Sequence, residues 1–245
     1  MNELIFTNTR DVVPTLRSEL ELNGLEFMAS AGNAIGEERK CKELLGASFK
    51  ILDWSDREEM VHENGLNLMF LKWDFIDRIS PGPVNPGKAI DFDTTGALKP
   101  FLRDPGMQRS LYLVGNDREP IFRVEHIDRS HLDYTYSERM WYQYEPVIEI
   151  LKSKSETRQA YISIWNPSID ISRLEKKRVP CSIGYQFFVR EGKLNVIYLM
   201  RSLEVSKCLG NDIYTSSRLL EFIADKVGVE CGFLQFSVGS LHIFE

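Results

Sequence analysis

Two runs rich in aromatic and β-branched residues flank a three-residue turn, and this feature constrains the fold more than any other. The turn is Glu191-Gly192-Lys193. Such runs on both sides of a glycine-containing turn predict a β-hairpin. The hairpin brings Cys181, just before its first strand, close to Arg201 and Ser202 at the end of its second strand. The sequence therefore predicts a thiol nucleophile beside two anion-binding side chains.

Length, charge and cysteine spacing limit the classes of partner. At 245 residues the chain is long enough for one domain with a sizeable core. The formal net charge of -6 argues against a nucleic-acid-binding surface built on net charge. The four cysteines lack the spacing of a metal site, and no signal peptide is evident. No apolar run approaches the roughly 20 residues of a membrane span. We expect a single domain over 1–245 in a cytoplasmic setting, with no metal, nucleic acid or membrane partner.

Hydrophobic periodicity predicts a mixture of helices and strands. Helices are expected at 11–22, 55–63, 137–152 and near 219–227, and strands at 44–52, 111–114, 121–124, 160–165 and 232–244, beside the central hairpin. Residues 67–76 suit a buried helix or a strand equally well. Proline and glycine are frequent from 80 to 106, so an inserted loop and hairpin region is expected at about 78–127, with a turn at 115–117.

Each candidate site residue has a simple structural alternative. Cys181 in a strand is more often an inert core cysteine, unless a cation such as Arg201 favours its thiolate. Arg201 and Ser202 suit a surface pair or a phosphate grip. Asp212 precedes a predicted helix, where Asp is a favoured N-cap. His242 lies in an alternating strand and suits a core histidine. Residue type and spacing leave these alternatives open.

A series of short motifs follows from about Tyr134 to Glu245. In order they are Thr157-Arg158, Trp165-Asn166-Pro167, Pro180-Cys181, Gln186-Phe187, Arg201-Ser202, Gly210, Asp212 and His242. Together they resemble the thymidylate synthase superfamily. Upstream, Gly46-Ala47-Ser48-Phe49 resembles a segment of the phage-type deoxycytidylate hydroxymethylases of that superfamily. The resemblance implies an α+β fold with a large mixed β-sheet flanked by helices, and a sheet-to-sheet homodimer.

The resemblance also implies a covalent reaction on a pyrimidine nucleoside monophosphate. Cys181 matches the nucleophile that adds to C6, after which C5 attacks the one-carbon unit of the co-substrate 5,10-methylenetetrahydrofolate. Arg201 and Ser202 match residues that hold the 5′-phosphate. Arg158 matches a third phosphate ligand, which the partner subunit contributes across the dimer interface.

Four further positions complete the implied site. Gln186 matches a pocket position, His242 the residue that contacts the sugar 3′-hydroxyl, and Glu204 the residue that anchors the pterin ring. The family also uses a glutamate from an N-terminal helix to organise water and relay protons. Glu59 is our choice for that role, with Glu58 and Glu63 as the next candidates, and a solvated helix carboxylate is the simple alternative for all three.

The departures from the family pattern bear on substrate. Thymidylate synthases have Asn at the position of Asp212, where the amide matches uracil. A carboxylate can accept from the 4-amino group of cytosine and share a proton with N3. Ser182 replaces a His, Phe244 a Tyr, Gln159 an Arg and Glu204 an Asp.

These departures favour the CMP or dCMP 5-hydroxymethylase branch, in which water adds after one-carbon transfer. The first alternative is a thymidylate synthase or another enzyme directed to UMP or dUMP. The second is an inactive homologue that binds nucleotide or folate.

Overall fold

A computed structural model describes residues 4–30, 38–95, 98, 102–104, 106–114, 119–127, 130–171 and 179–245. Its strands are β1 (Leu4–Phe6), β2 (Leu25–Ser30), β3 (Glu38–Ile51), β4 (Leu102–Arg103), β5 (Gly106–Val114), β6 (Glu119–Ile127), β7 (His131–Leu132), β8 (Tyr161–Ser163), β9 (Ser182–Arg190), β10 (Lys193–Glu204) and β11 (Glu230–Phe244). Its helices are α1 (Val12–Asn23), α2 (Arg57–Glu63), α3 (Leu68–Arg78), α4 (Tyr136–Met140), α5 (Tyr144–Ser153), α6 (Pro167–Asp170) and α7 (Leu209–Val227). The α+β class predicted from the sequence is confirmed.

Within the described residues, seven strands form one mixed sheet. The order is β1-β3-β11-β10-β9-β8, and β2 also pairs with β3. β10 and β11 run parallel, as do β1 and β3, whereas β9 is antiparallel to β10 and β11 is antiparallel to β3. Parallel neighbours need a crossover connection, and α7 supplies the one between β10 and β11. The large mixed sheet of the prediction is therefore present.

One face of the sheet packs against helices and holds the core. α7 contacts β10 and β11, α1 contacts β3 and α5 contacts β8. Alternate residues of a strand point to opposite faces. On the helix side of β10, the buried residues are Leu194, Val196, Tyr198 and Met200. On the second face, Ile197 and Leu199 are partly exposed. The second face therefore carries apolar surface that no helix of the described chain covers.

Helix boundaries differ from the prediction where apolar periodicity gives no signal. The ambiguous segment 67–76 is helix α3, because the Asn67 side chain accepts hydrogen bonds from the N–H groups of Met69 and Phe70 and starts the helix. The predicted helix 137–152 is two helices, separated by the 3₁₀ turn Trp141–Gln143. α7 starts at Leu209, well before the predicted Leu219. Its first turns bury small and polar residues, which apolar periodicity does not reveal.

The hairpin predicted near 111–124 is present as the antiparallel pair β5 and β6, which forms a sheet separate from the central one. The turn predicted at 115–117 and the charged loop through Lys177 lie outside the described residues. No helix in the described chain is long and apolar enough to cross a membrane. The status of 78–127 as an inserted region stays a prediction.

Gly184 in β9 lies where β8 approaches most closely. A Cβ at this position would overlap the carbonyl oxygen of Ile162 and lie 2.5 Å from the hydroxyl of Tyr161. We expect Gly184→Ala to lower the free energy of unfolding by about 1–3 kcal/mol, because the added methyl overpacks the β8–β9 contact. Urea unfolding measures the effect. Gly82→Ala is the matched control, since a Cβ there meets nothing within 4 Å; equal midpoints for the two variants would contradict the expectation.

Candidate active site

Cys181 and Arg201 lie side by side at one end of the β9–β10 pair. Cys181 is exposed and immediately precedes β9. The N–H of Arg201 donates to the carbonyl oxygen of Cys181 at 2.9 Å, and its Nε donates to the carbonyl oxygen of Pro180 at 2.9 Å. These two bonds bring Nη2 of Arg201 to 3.8 Å from the Cys181 Sγ. A fixed guanidinium beside an exposed sulfur favours the thiolate form.

Ser202, Glu204 and His242 occupy the same edge, where the parallel strands β10 and β11 end. In register, Ser202 lies opposite Ser240 and Glu204 lies opposite His242. The Nδ1 atom of His242 is 3.3 Å from the carbonyl oxygen of Ser240. Because parallel strands end at a common edge, residues from both strands border the space beside Cys181.

The Glu204 carboxylate has a local structural role. It accepts hydrogen bonds from the N–H groups of Ser206, at 3.2 Å, and Lys207. Glu204 thus caps the turn between β10 and α7, so this contact accounts for the carboxylate without a bound pterin. Among the described residues, no group of three or more His, Cys, Asp or Glu side chains is arranged to hold a metal ion.

Asp212 lies inside the first turn of α7, not at its cap. The N-cap is Cys208, and the N–H of Asp212 donates to the Cys208 carbonyl oxygen at 3.0 Å, as within any helix. The alternative that Asp212 caps the helix is therefore wrong. The residue is only 9% exposed, and this burial raises the pKa of its carboxyl to about 7. The positive charge of Arg78 and a hydrogen bond from Tyr198 oppose that rise in pKa.

Three hydroxyl groups connect Asp212 to the strand that follows Cys181. The hydroxyl of Tyr198 donates to Asp212 Oδ1 at 3.3 Å and is hydrogen-bonded to Oγ of Ser182. Ser182 Oγ lies 3.0 Å from the hydroxyl of Tyr136. Burial raises the pKa of Tyr198 and of Tyr136 well above the ordinary value, so both stay protonated. The sequence did not predict this chain, because its members come from β9, β10 and α4.

Helix α3 adds a buried ion pair next to this chain. Arg78 Nη2 is 2.8 Å from Asp74 Oδ2, and the Arg78 guanidinium lies 4.2 Å from the ring centroid of Tyr136. Arg78 is 8% exposed, and its Nη1 has no hydrogen-bond partner within the described part of the chain. Asp74 is close enough for its charge to raise the pKa of Asp212. Sequence reasoning missed both residues, because it left 67–76 unassigned and did not extend a helix to Arg78.

Glu59 lies away from this cluster. It is exposed on α2, where its charge acts on Arg10. No described contact joins it to Cys181 or Asp212. Its predicted neighbours also form surface ion pairs, Glu58 with Lys72 and Glu63 with Arg10. The positions of these carboxylates agree with the simple alternative of a solvated helix face, and the catalytic role of Glu59 stays a prediction.

The loop that carries Arg158 is held by side chains of β9. Nε2 of Gln186 donates to the Arg158 carbonyl oxygen at 3.0 Å. The Arg190 guanidinium donates to the carbonyl oxygens of Ser155, at 3.3 Å, and Glu156, at 3.2 Å. The backbone is thus fixed while the Arg158 side chain is exposed. Gln186, predicted as a pocket residue, has its described contact with this loop.

Comparison with known proteins identifies relatives of this arrangement. The family profile described as "Thymidylate synthase" matches residues 116–245, more than half of the chain. A "Putative thymidylate synthase" of Methanosarcina mazei is 35% identical over 119 residues, covering 46% of this chain and 54% of the relative. One of the same name from Methanocaldococcus jannaschii is 35% identical over 114 residues, covering 46% and 51%. The chain spans about half the length of the curated relatives it matches.

The likeness extends to a solved structure. Thermostable thymidylate synthase A from Bacillus subtilis superposes with a TM-score of 0.60 at 15% identity, over 97% of this chain and 80% of that one. At this identity the superposition establishes the fold. With the match to residues 116–245, it follows that the chain belongs to the thymidylate synthase family.

Proposed function

We propose that this protein transfers a one-carbon unit from methylenetetrahydrofolate to C5 of CMP or dCMP and completes the reaction with water to give the 5-hydroxymethyl nucleotide. Family membership supports one-carbon transfer to a pyrimidine C5. The observation that carries the choice of base is the buried carboxyl of Asp212 in the first turn of α7. The proposed nucleophile, Cys181, lies beside the Arg201 guanidinium at the same end of the hairpin.

The reaction begins at Cys181. Its thiolate adds to C6 of the pyrimidine, and the electron pair of the C5–C6 double bond becomes available at C5. C5 bonds to the methylene carbon of the co-substrate. The C5 proton then passes to a base and tetrahydrofolate leaves, which gives an exocyclic methylene group on the ring. Water adds to that carbon, the thiolate leaves C6, and the 5-hydroxymethyl nucleotide is released.

The donor pattern of the base supports cytosine over uracil. Cytosine offers a donor at its 4-amino group and an acceptor at N3. A carboxyl group that holds one proton offers the matching acceptor and donor. Because burial raises the pKa of Asp212 to about 7, the carboxyl holds that proton in a large fraction of molecules near neutral pH. Proton donation to N3 also withdraws electrons from the ring and makes C6 more electrophilic.

The phosphate grip and the dimer belong to the same proposal. Arg201 and Ser202 bind the 5′-phosphate from one subunit, and Arg158 binds it from the partner subunit of a sheet-to-sheet homodimer. The exposed Arg158 side chain on an anchored backbone supports this role. The dimer is supported by the uncovered sheet face, where Ile197 and Leu199 are partly exposed.

Asp74 is a second proposed carboxylate for proton relay, beside the predicted Glu59. Asp74 pairs with Arg78 and acts electrostatically on Asp212. Glu59 acts on Arg10 instead. Asp74 is therefore the better candidate to organise water next to the base. Glu204 caps the turn between β10 and α7, and pterin anchoring is proposed as its further role.

Tritium release from C5 tests the function. The protein is incubated with methylenetetrahydrofolate and with 5-tritiated CMP, dCMP, UMP or dUMP in turn. Release from a cytidine nucleotide is expected, with a product whose mass is that of the hydroxymethyl nucleotide. Release from UMP or dUMP alone contradicts the choice of cytosine, and a methyl product from dUMP supports the thymidylate synthase alternative. Binding without release from all four supports an inactive homologue.

A further inference from the structure

We propose that Tyr198, Ser182 and Tyr136 form a hydroxyl relay that fixes which oxygen of Asp212 carries the proton, so that Tyr198 is a specificity-determining residue for the base. The effect on base choice rests on the proposed function. The hydrogen bond from Tyr198 to Asp212 does not, and its effect on the titration of Asp212 is open to measurement without any nucleotide.

The relay is continuous and enclosed. Tyr198 and Ser182 are both fully buried, at 0% exposure. The Tyr198 ring is held by stacking on Tyr185, with ring centroids 4.1 Å apart, and by an edge contact with Phe236 at 5.4 Å. The hydroxyl of Tyr198 is therefore fixed between Ser182 Oγ and Asp212 Oδ1. A hydroxyl with so little freedom cannot turn toward another partner without repacking the core.

Each hydroxyl has one proton to donate, and this couples the members of the chain. When Tyr198 donates to Asp212 Oδ1, it accepts from Ser182, and Ser182 accepts from Tyr136. In that order Oδ1 acts as an acceptor, and Oδ2 is the oxygen that carries the proton of the neutral carboxyl. The reverse order needs all three hydroxyls to turn together. The relay thus connects the protonation of Asp212 to the hydroxyl of Tyr136, which lies beyond Tyr198 and Ser182 in the chain of hydrogen bonds.

A fixed proton position discriminates between bases because their patterns are opposite. At the same two ring positions, cytosine presents a donor and an acceptor, whereas uracil presents an acceptor and a donor. A carboxyl group free to carry its proton on either oxygen matches both bases. A carboxyl whose proton is confined to one oxygen matches one of them and leaves unpaired buried groups with the other. Tyr198 confers this asymmetry on Asp212.

The charges around Asp212 enter the pH dependence of this device. From α3, Arg78 lowers its pKa and Asp74 raises it, and from β10 the Tyr198 bond lowers it. In return the Asp212 charge raises the pKa of its neighbours on β9, α4 and its own helix: Tyr185, Tyr136 and Cys208. Since the Tyr198 bond favours the carboxylate, its removal shifts the titration of Asp212 upward in pH.

Tyr198→Phe removes the hydroxyl and retains the stacked ring. Tyr214→Phe is the matched control, because Tyr214 is also a buried tyrosine and lies on α7, and the charges that act on its hydroxyl are those of Arg218, Glu58, Lys72 and Arg57. Ser182→Ala breaks the relay one step further from Asp212 and serves as the second variant if Tyr198→Phe does not fold. Carboxyl ¹³C NMR of labelled protein follows the titration of Asp212, identified by the signal that Asp212→Asn loses. Calorimetry gives the ratio of the dissociation constants for CMP and UMP.

We expect Tyr198→Phe to raise the midpoint of the Asp212 titration and to reduce the preference between CMP and UMP by about tenfold, the effect of one hydrogen bond to a carboxyl. Ser182→Ala changes both in the same direction by less, and Tyr214→Phe leaves both at the wild-type values. An unchanged midpoint in Tyr198→Phe, or an equal shift in Tyr214→Phe, would overturn the relay. A wild-type protein that shows no base preference counts against the proposed function, while the NMR titration still decides on the relay.

Discussion

Cys181→Ser is expected to lower the rate of tritium release from C5 by at least about a thousandfold. The hydroxyl of serine has too high a pKa to ionise beside a guanidinium, so the alkoxide needed for addition to C6 does not form. Arg201 keeps its bonds to the Pro180 and Cys181 carbonyl oxygens, because both use main-chain atoms. The loss is therefore in the rate, and nucleotide affinity changes little. Steady-state kinetics and calorimetry separate the two quantities.

Cys231→Ser is the control for general effects of removing a thiol. Cys231 lies in β11, and burial and the charge of Glu221 raise the pKa of its thiol, so it is a poor nucleophile. Mass spectrometry of the intact protein with nucleotide and co-substrate adds a direct readout, a covalent adduct in the wild type and in Cys231→Ser. Turnover or adduct formation that survives in Cys181→Ser would exclude covalent addition by this residue.

Asp212→Asn is expected to reverse the base preference from cytosine toward uracil by about a hundredfold or more in kcat/KM. The reason is that donor and acceptor exchange places in both hydrogen bonds to the base. The amide presents its carbonyl oxygen to N3–H of uracil and its NH₂ to O4. The side chains differ little in volume, and the helical N–H bond to Cys208 is retained. The measurement compares CMP with UMP, and dCMP with dUMP. An unchanged ratio would show that Asp212 does not contact the base.

The same substitution has a consequence for stability with a defined sign. The pKa of Asp212 is raised to about 7 in the folded protein, above its unfolded value, so the folded state binds the proton more tightly. The contribution of Asp212 to stability is then greatest at low pH and falls as the pH rises from about 4 to about 7. Asp212→Asn removes that loss, which amounts to as much as about 4 kcal/mol above pH 7. Urea unfolding at pH 5 and pH 8 should give a larger gain from the substitution at pH 8.

The half of the site that the sequence predicted lies on neighbouring elements. Cys181 and Arg201 are joined by one hairpin, whose turn and strands each have a local signal. Register then determines which residues meet, because each strand position has one partner across the pair. Residues separated by a short turn can therefore be placed together before any coordinates are known.

The other half could not be predicted, because it depends on packing between distant segments. Asp74 and Arg78 reach the site through the contacts of α3 with α4 and α7. Tyr136 meets Ser182 because α4 begins at a capping box formed by Thr135 and Glu138, which sets the direction of the helix. The sequence does not show whether a buried hydroxyl belongs to a relay or is simply a polar group in the core. The N-cap alternative for Asp212 failed for a related reason, as the buried small residues at the start of α7 conceal the helix from apolar periodicity.

The residues of the proposed site lie in two different parts of the chain, and this has an evolutionary consequence. The proposed nucleophile, its guanidinium and the residue proposed to read the base lie on one continuous stretch, from Cys181 through β9 and β10 to α7, and the family match over residues 116–245 includes this stretch. The ion pair Asp74–Arg78 lies outside that match, on α3, and acts on Asp212 through its charges. Drift in the N-terminal half can thus retune the protonation of the residue proposed to read the base while the nucleophile and its guanidinium are inherited unchanged. Under the proposed function, base choice therefore depends on both halves of the chain, whereas the nucleophile and its guanidinium lie in one.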